Sequence, residues 1–199
     1  MKINKIINII KSAYSIKNYH LKEYIKEINL HLGCGNKPLE NFINIDFYNK
    51  KFADEILDLN DKLPYKDDTV DLIYSDNVFE HIDNLLGLIQ ECYRILKPGA
   101  ALIIKVPYFK SKHAFVDPTH FNFFTVGSMD YFVKNKHFND EYKFFKESFE
   151  DMIIYLDPEN KSIIKKLISC VAIKEPNRFE NSIWSNLFVF HNIVYVLRK

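Results

Sequence analysis

Ile28–Asp46 reads INLHLGCGNKPLENFINID: a short apolar run, a Gly-Cys-Gly turn, and a second short run closed by an aspartate. Glycines directly after a strand let the backbone turn tightly and present its N–H groups to a ligand, because no Cβ stands in the way. An acidic side chain at the tip of the next strand is placed to accept hydrogen bonds from two ribose hydroxyls. The stretch therefore points to a nucleoside-containing cofactor. It lacks the third glycine of the dinucleotide fingerprint, since Gly33-Cys34-Gly35-Asn36-Lys37-Pro38 supplies only two. Pro38 and the short distance from Gly35 to Asp46 leave room for little more than a turn, so no helix N-terminus is offered to a pyrophosphate.

Working outward, Asp54–Leu59 is a short strand ending in acid. Val70–Ser75 (VDLIYS) is mostly apolar, as a central parallel strand should be. A helix is expected from about Asn84 to Leu96, with Leu85, Leu88, Ile89, Cys92 and Ile95 on one face and Lys97-Pro98-Gly99 stopping it. Ala101–Val106 is another buried strand. Beyond it the pattern predicts a helix near Val126–Asn135, a strand around Glu150–Leu156, partly helical structure over residues 159–187, and a last strand over Phe188–Arg198. This alternation implies an α/β, doubly wound sheet with ligands at the C-terminal ends of its strands. The glycine turn and the acidic residues all fall at those ends.

The chain of 199 residues is expected to form one domain: an N-terminal helical cap over 1–27, a cofactor-binding half over 28–109 and a substrate-side half over 110–199. Hydrophobic content of 47% supports a packed core and excludes a disordered chain. A net charge of +1, with 27 basic and 26 acidic residues well mixed, argues against a nucleic-acid partner. Three cysteines, Cys34, Cys92 and Cys170, lack metal-ligand spacing and suggest reduced thiols in a cytoplasmic setting. No run approaches the ~18 apolar residues of a membrane span, and lysines and asparagines interrupt the N-terminal apolar pattern that a signal peptide would need. Residues 2–16 place Ile3, Ile6, Ile7, Ile10 and Ala13 at helical spacing. Packing on its own domain is favoured over lying on a membrane surface, and a lid over the cofactor is a further option.

From about Ile28 to Phe109 the chain resembles a class I S-adenosylmethionine-dependent methyltransferase of the type 11 group. The resemblance rests on LHLGCGN, Asp46, DLNDKLPYKDDTVDLIYSDNVFEHI, and ECYRILKPGAALIIKVP, which carries one extra alanine. It implies a Rossmann-like, mostly parallel seven-stranded sheet with an antiparallel last strand, and S-adenosyl-L-methionine as cofactor. By resemblance, the backbone of Leu32, Gly33, Cys34 and Gly35 cradles the methionine part and Asp46 the ribose. Asp58 with the backbone of Leu59 takes the adenine. Ser75 and Asp76 close over the sulfonium region, with His81 ending the motif; Glu80 and His81 can equally cap or pack the following turn. His31 and Lys37 depart from the family pattern, an acid and a third glycine respectively. A looser resemblance joins Asp117-Pro118-Thr119-His120 and Phe124-Thr125 to methyltransferases found among surface-polysaccharide genes, implying a small-molecule or glycan acceptor.

Methyl transfer from a sulfonium is an in-line displacement, and holding the acceptor behind the methyl can supply up to ~7–11 kcal/mol. A hydroxyl acceptor also needs a base, for which His120 is the candidate, as base or substrate contact, with Asp117 as a possible orienting carboxylate. The competing reading has Asp117 cap a turn and His120 pack among Phe115, Phe121 and Phe123. His113, Asp117 and His120 are competent metal ligands, but no fourth ligand is evident and no metal is assigned. Tyr108 and His113 are the candidate substrate contacts. Three rivals stand beside this reading: RNA methylation, a non-catalytic cofactor-binding module, and a nicotinamide oxidoreductase.

Overall fold

The computed structural model describes residues 28–142, 145–157 and 174–199, together with residues 168 and 172. The helix expected over residues 2–16 lies outside the described residues, as do residues 159–167, 169–171 (with Cys170) and 173 of the stretch expected to be partly helical over 159–187.

Seven strands form one sheet in the order β3-β2-β1-β4-β5-β7-β6. They are β1 (Asn29–Leu32), β2 (Ile43–Asp46), β3 (Glu55–Ile56), β4 (Val70–Asp76), β5 (Leu96–Pro107), β6 (Asp151–Asp157) and β7 (Asn192–Arg198). The first five run parallel, while β7 is antiparallel to both neighbours, β5 and β6. This is the expected α/β sheet with an antiparallel last strand. The order reverses at β1, which has β2 on one side and β4 on the other, so a crevice opens beyond their C-terminal ends.

Alternate residues of β5 serve two cores. Leu102, Ile104 and Val106 join the large cluster that packs against α1 (Leu85–Ile95), whose Leu88, Ile89, Cys92 and Ile95 are all buried. Ala101 and Ile103 join a smaller cluster on the other face, with Tyr74, Val194 and Val196. Each fully buried Leu or Ile contributes roughly 1.5–3 kcal/mol of transfer free energy. Asn84 caps α1, its side-chain oxygen accepting from the Gly87 N–H at 3.1 Å.

The link from β1 to β2 carries no helix. Asn44 takes over the work of one: its Oδ1 accepts from Leu39 N–H at 2.7 Å, and its Nδ2 donates to the carbonyls of Leu39 and Phe42 and to Asp54. His31 Nδ1 lies 3.1 Å from the same Oδ1, with its ring against Tyr74. Burial lowers the His31 pKa, the Asn44 hydrogen bond opposing, so the imidazole is neutral at physiological pH. The departure from an acid at this position is thus a structural histidine that anchors the shortened link.

Four boundaries differ from the sequence expectation. The α1 helix ends at Ile95, and the strand expected at Ala101 already begins at Leu96, which pairs with Val70 ahead of a bulge. The strand expected over Asp54–Leu59 shrinks to Glu55–Ile56. The last strand starts at Asn192, Phe190 being buried in the core just before it. The helix expected over Val126–Asn135 is a set of turns with a 3-10 turn at Asp130–Phe132. There the Ser128 hydroxyl accepts from Thr125 N–H and the Thr125 hydroxyl from Gly127 N–H, local bonds that compete with a helix.

Candidate functional site

The glycine turn sits at the switch point. Gly33 and Gly35 have φ of +66° and +52°, a region that disfavours side chains. A Cβ on Gly33 would meet Val78 Cγ2 at 2.2 Å, so this turn packs directly on the loop that follows β4; a Cβ on Gly35 would meet only open space. Cys34 is buried, its N–H bonded to the Ile45 carbonyl at 3.0 Å. Burial and the charges of Asp46 and Asp54 raise its thiol pKa, so it is a packing residue and not a nucleophile.

Asp46 closes the turn. Its Oδ2 accepts from Gly35 N–H at 2.8 Å, and its Oδ1 from Tyr48 N–H at 2.9 Å and Asn49 N–H at 2.8 Å. Asn49 reaches back to the Gly35 carbonyl at 2.9 Å. Burial alone would raise the Asp46 pKa, but the backbone N–H groups of Asn49, Gly35 and Tyr48 outweigh it and hold the carboxyl below its usual value. A carboxylate has about four acceptor positions, so three are already taken. A ribose diol has to share this carboxylate with the loop.

Of the other candidates, Asp58 Oδ1 accepts from Asn60 N–H at 2.9 Å and Leu59 is buried beneath. Asn60 in turn accepts from Asn84 N–H at 3.1 Å, tying this loop to the start of α1. The Ser75 hydroxyl is wholly buried and donates to the Leu32 carbonyl at 3.4 Å, so its side chain ties β4 to β1 rather than facing the crevice. Asp76 is paired with Lys105 at 3.2 Å.

Past β4, the 3-10 turn Phe79–His81 meets the Asp117-Pro118-Thr119-His120 segment. Four bonds clamp them: Phe121 N–H and Asn122 N–H donate to the Glu80 carbonyl at 2.8 and 3.1 Å, and Asn122 Nδ2 donates to the carbonyls of Phe79 and Ile82 at 3.1 and 2.7 Å. The His81 and His120 rings are 4.7 Å apart, edge to face. His120 Nδ1 lies 3.0 Å from the Ala114 carbonyl, and His81 Nδ1 lies 3.1 Å from the Thr119 carbonyl. A carbonyl only accepts, so each Nδ1 donates, and in the neutral form of either ring the lone pair lies at Nε2; the Thr119 hydroxyl, 3.0 Å from His81 Nδ1, gives its own proton to Asp117.

The pairing of Asp117 with His120 is not what forms. Asp117 instead accepts from Thr119 N–H at 2.9 Å and the Thr119 hydroxyl at 2.7 Å, bonds that hold its carboxyl below the usual range. The Ala114 carbonyl, on α2 (His113–Val116), orients His120. Phe115 and Phe123 stack on each other at 4.9 Å, and both are exposed, as is Phe121. His113 faces His191 at 5.1 Å, not His120. Tyr108 is wholly buried; burial, with Glu180 nearby, raises its pKa, and it lines no open surface.

Sequence reasoning passed over Glu80 as a capping or packing residue. It is 1% exposed, and neither carboxyl oxygen has a hydrogen-bond partner among the described residues. Burial pushes its pKa up to about 8; its own backbone tempers the rise, and the charges of Asp76 and Asp117 add to it. Its adjacency to His81 was the available signal; the approach of His120 was not.

Residues 41–104 match the methyltransferase domain family. A curated relative, malonyl-acyl-carrier-protein O-methyltransferase 1 of Coxiella burnetii, is 46% identical over 41 residues, which are 21% of this chain and 14% of that protein. The chain therefore spans a small part of the curated relative it matches. Among solved structures, a protein described as a SAM-dependent methyltransferase from Archaeoglobus fulgidus superposes with a TM-score of 0.56 at 18% identity, covering 90% of this chain and 91% of that one. A SAM-dependent methyltransferase from Thermotoga maritima, described as a possible histamine N-methyltransferase, gives 0.51 at 14% identity, covering 94% and 86%. These two share the fold.

Proposed function

We propose that this chain, whose residues 41–104 match the methyltransferase domain family, transfers a methyl group from S-adenosylmethionine to a hydroxyl of a small-molecule acceptor, probed first as a saccharide or sugar-linked intermediate. One observation carries the reading of the cofactor. An ionised Asp46 is locked by Gly35 N–H at the mouth of an open glycine turn, and a second carboxylate, Asp76, ends the neighbouring strand β4. Such a carboxylate-rich crevice suits a ligand with a diol and net positive charge, and it repels a pyrophosphate. The bound cofactor supplies an electrophilic methyl on a positively charged sulfur. The chain's own part is to hold the methionine end on the Leu32–Gly35 backbone, the ribose on Asp46, and the adenine at Asp58 and Leu59.

On the acceptor side stand His120 and His81, each with a lone pair at Nε2, beside the exposed Phe115, Phe121 and Phe123. Exposed aromatic faces mark binding surfaces, and a pyranose offers its C–H face to such rings. His120 is the residue that meets the acceptor hydroxyl, and Asp117 holds its strap through Thr119. The test is transfer of labelled methyl from S-adenosylmethionine to a panel of nucleotide sugars, free glycans and RNA. Label in a glycan fraction, reduced at least tenfold by His120→Ala, is expected. Label in RNA alone, or in nothing while the protein binds cofactor, refutes the acceptor class.

A further inference from the structure

We propose that Glu80, His81 and His120 form a site for one divalent transition-metal ion of the zinc class. Each residue brings one ligand atom to within 4.8 Å of the other two. Ligands at ~2.1 Å from a tetrahedral ion lie about 3.4 Å apart, so modest side-chain rotation closes the site. This trio differs from His113, Asp117 and His120, because His113 is turned toward His191.

Three features beyond proximity point to a cation. The Glu80 carboxyl is buried with both oxygens unpartnered, a costly arrangement that a positive ion relieves. Both imidazoles are oriented as metal-binding histidines usually are, with Nδ1–H on a backbone carbonyl and the Nε2 lone pair free. The four hydrogen bonds from Phe121 and Asn122 to the Phe79–Ile82 turn fix His120 against Glu80 before any ion arrives. Two imidazoles and one carboxylate suit zinc, cobalt or nickel better than calcium or magnesium.

Three protein ligands leave a coordination position open. An acceptor hydroxyl bound there would lose its proton to solvent more readily, since a coordinated O–H is acidified. His120 then meets the acceptor through the cation. That role rests on the methyltransferase reading; the binding of the ion does not.

The experiment is calorimetric titration of chelator-treated full-length protein with zinc chloride alone, repeated for His120→Ala, Glu80→Gln and the exposed control His137→Ala. One zinc per chain is expected, weakened at least tenfold by the first two substitutions and unchanged by the third. For the case in which a variant does not fold, nitrogen NMR on the unmutated protein gives an independent reading: one equivalent of zinc should shift two of the seven imidazoles. Absence of saturable binding, affinity indifferent to both substitutions, or no imidazole shift overturns the proposal. S-adenosylhomocysteine binding measured on the same metal-free samples separates failure of the metal site from failure of the methyltransferase reading.

Discussion

Gly33 is where the glycine turn and the loop after β4 touch, and adding one methyl group there has a calculable cost. At φ +66° a side chain costs roughly 1–2 kcal/mol against the left-handed region. The new Cβ also lands 2.2 Å from Val78 Cγ2 and 3.0 Å from Cγ1. Valine is stiff about χ1, so the overlap has to be relieved by backbone shift, at about 1–3 kcal/mol for overpacking of this kind. Gly33→Ala should therefore lose about 2–5 kcal/mol, a fall in Tm of about 4–20 °C at 2–4 °C per kcal/mol for a domain of this size. Gly35→Ala bears only the conformational term, because nothing lies within 4 Å of its Cβ, and should lose roughly 1–2 kcal/mol. The assay is thermal and urea unfolding of both variants, of Val78→Ala, and of the double variant. Removing the Val78 side chain should return about 1–3 kcal/mol to Gly33→Ala, visible as a coupling energy. Equal losses for the two glycines, or a coupling of zero, would refute the claimed contact between the loops.

Other outcomes follow from particular side chains. Asp46→Asn removes the charge that gathers three N–H groups, and should weaken S-adenosylhomocysteine binding at least tenfold by calorimetry. Because the folded pKa of Asp46 is depressed below 3.8, its contribution to stability is present above that value and lost as pH falls through the folded pKa. The stability gap between wild type and Asp46→Asn should thus be flat above about pH 5 and narrow below pH 4. Arg94 pairs with Glu91 and Asp67 and donates to the carbonyls of Leu63 and Tyr65. Its guanidinium forks across all four, so Arg94→Met should lose about 2–3 kcal/mol in urea unfolding, and Arg94→Lys should recover only part of that.

The cofactor half was legible because its signals are local. A glycine turn after an apolar run, and an acid closing the next, are placed by strand geometry alone, and Asp46 and Gly35 do meet. The doubly wound, mostly parallel sheet follows from alternation of elements, whereas its strand order appears only in the structure. What escaped was set by contacts distant in sequence or by small hydroxyl side chains. Glu80 and His120 are brought together by hydrogen bonds from Phe121 and Asn122 that no periodicity encodes. Thr125 and Ser128 divert the backbone from the helix that the apolar spacing of Val126–Asn135 suggested. His31 looked like a defect in the cofactor motif, and its role appears only once Asn44 is seen bracing the short link.

The central claim, that the Gly33–Asp46 crevice holds a nucleoside sulfonium cofactor and not a dinucleotide, is tested most directly by thermal shift with S-adenosylmethionine, S-adenosylhomocysteine and NAD side by side. At 100 times its dissociation constant a ligand adds about 2.7 kcal/mol, a rise of roughly 5–11 °C for a domain of this size. The account predicts that rise with the two sulfur ligands, its loss in Asp46→Ala, and no response to NAD. A shift with NAD alone, or none with the sulfur ligands on folded protein, would contradict it.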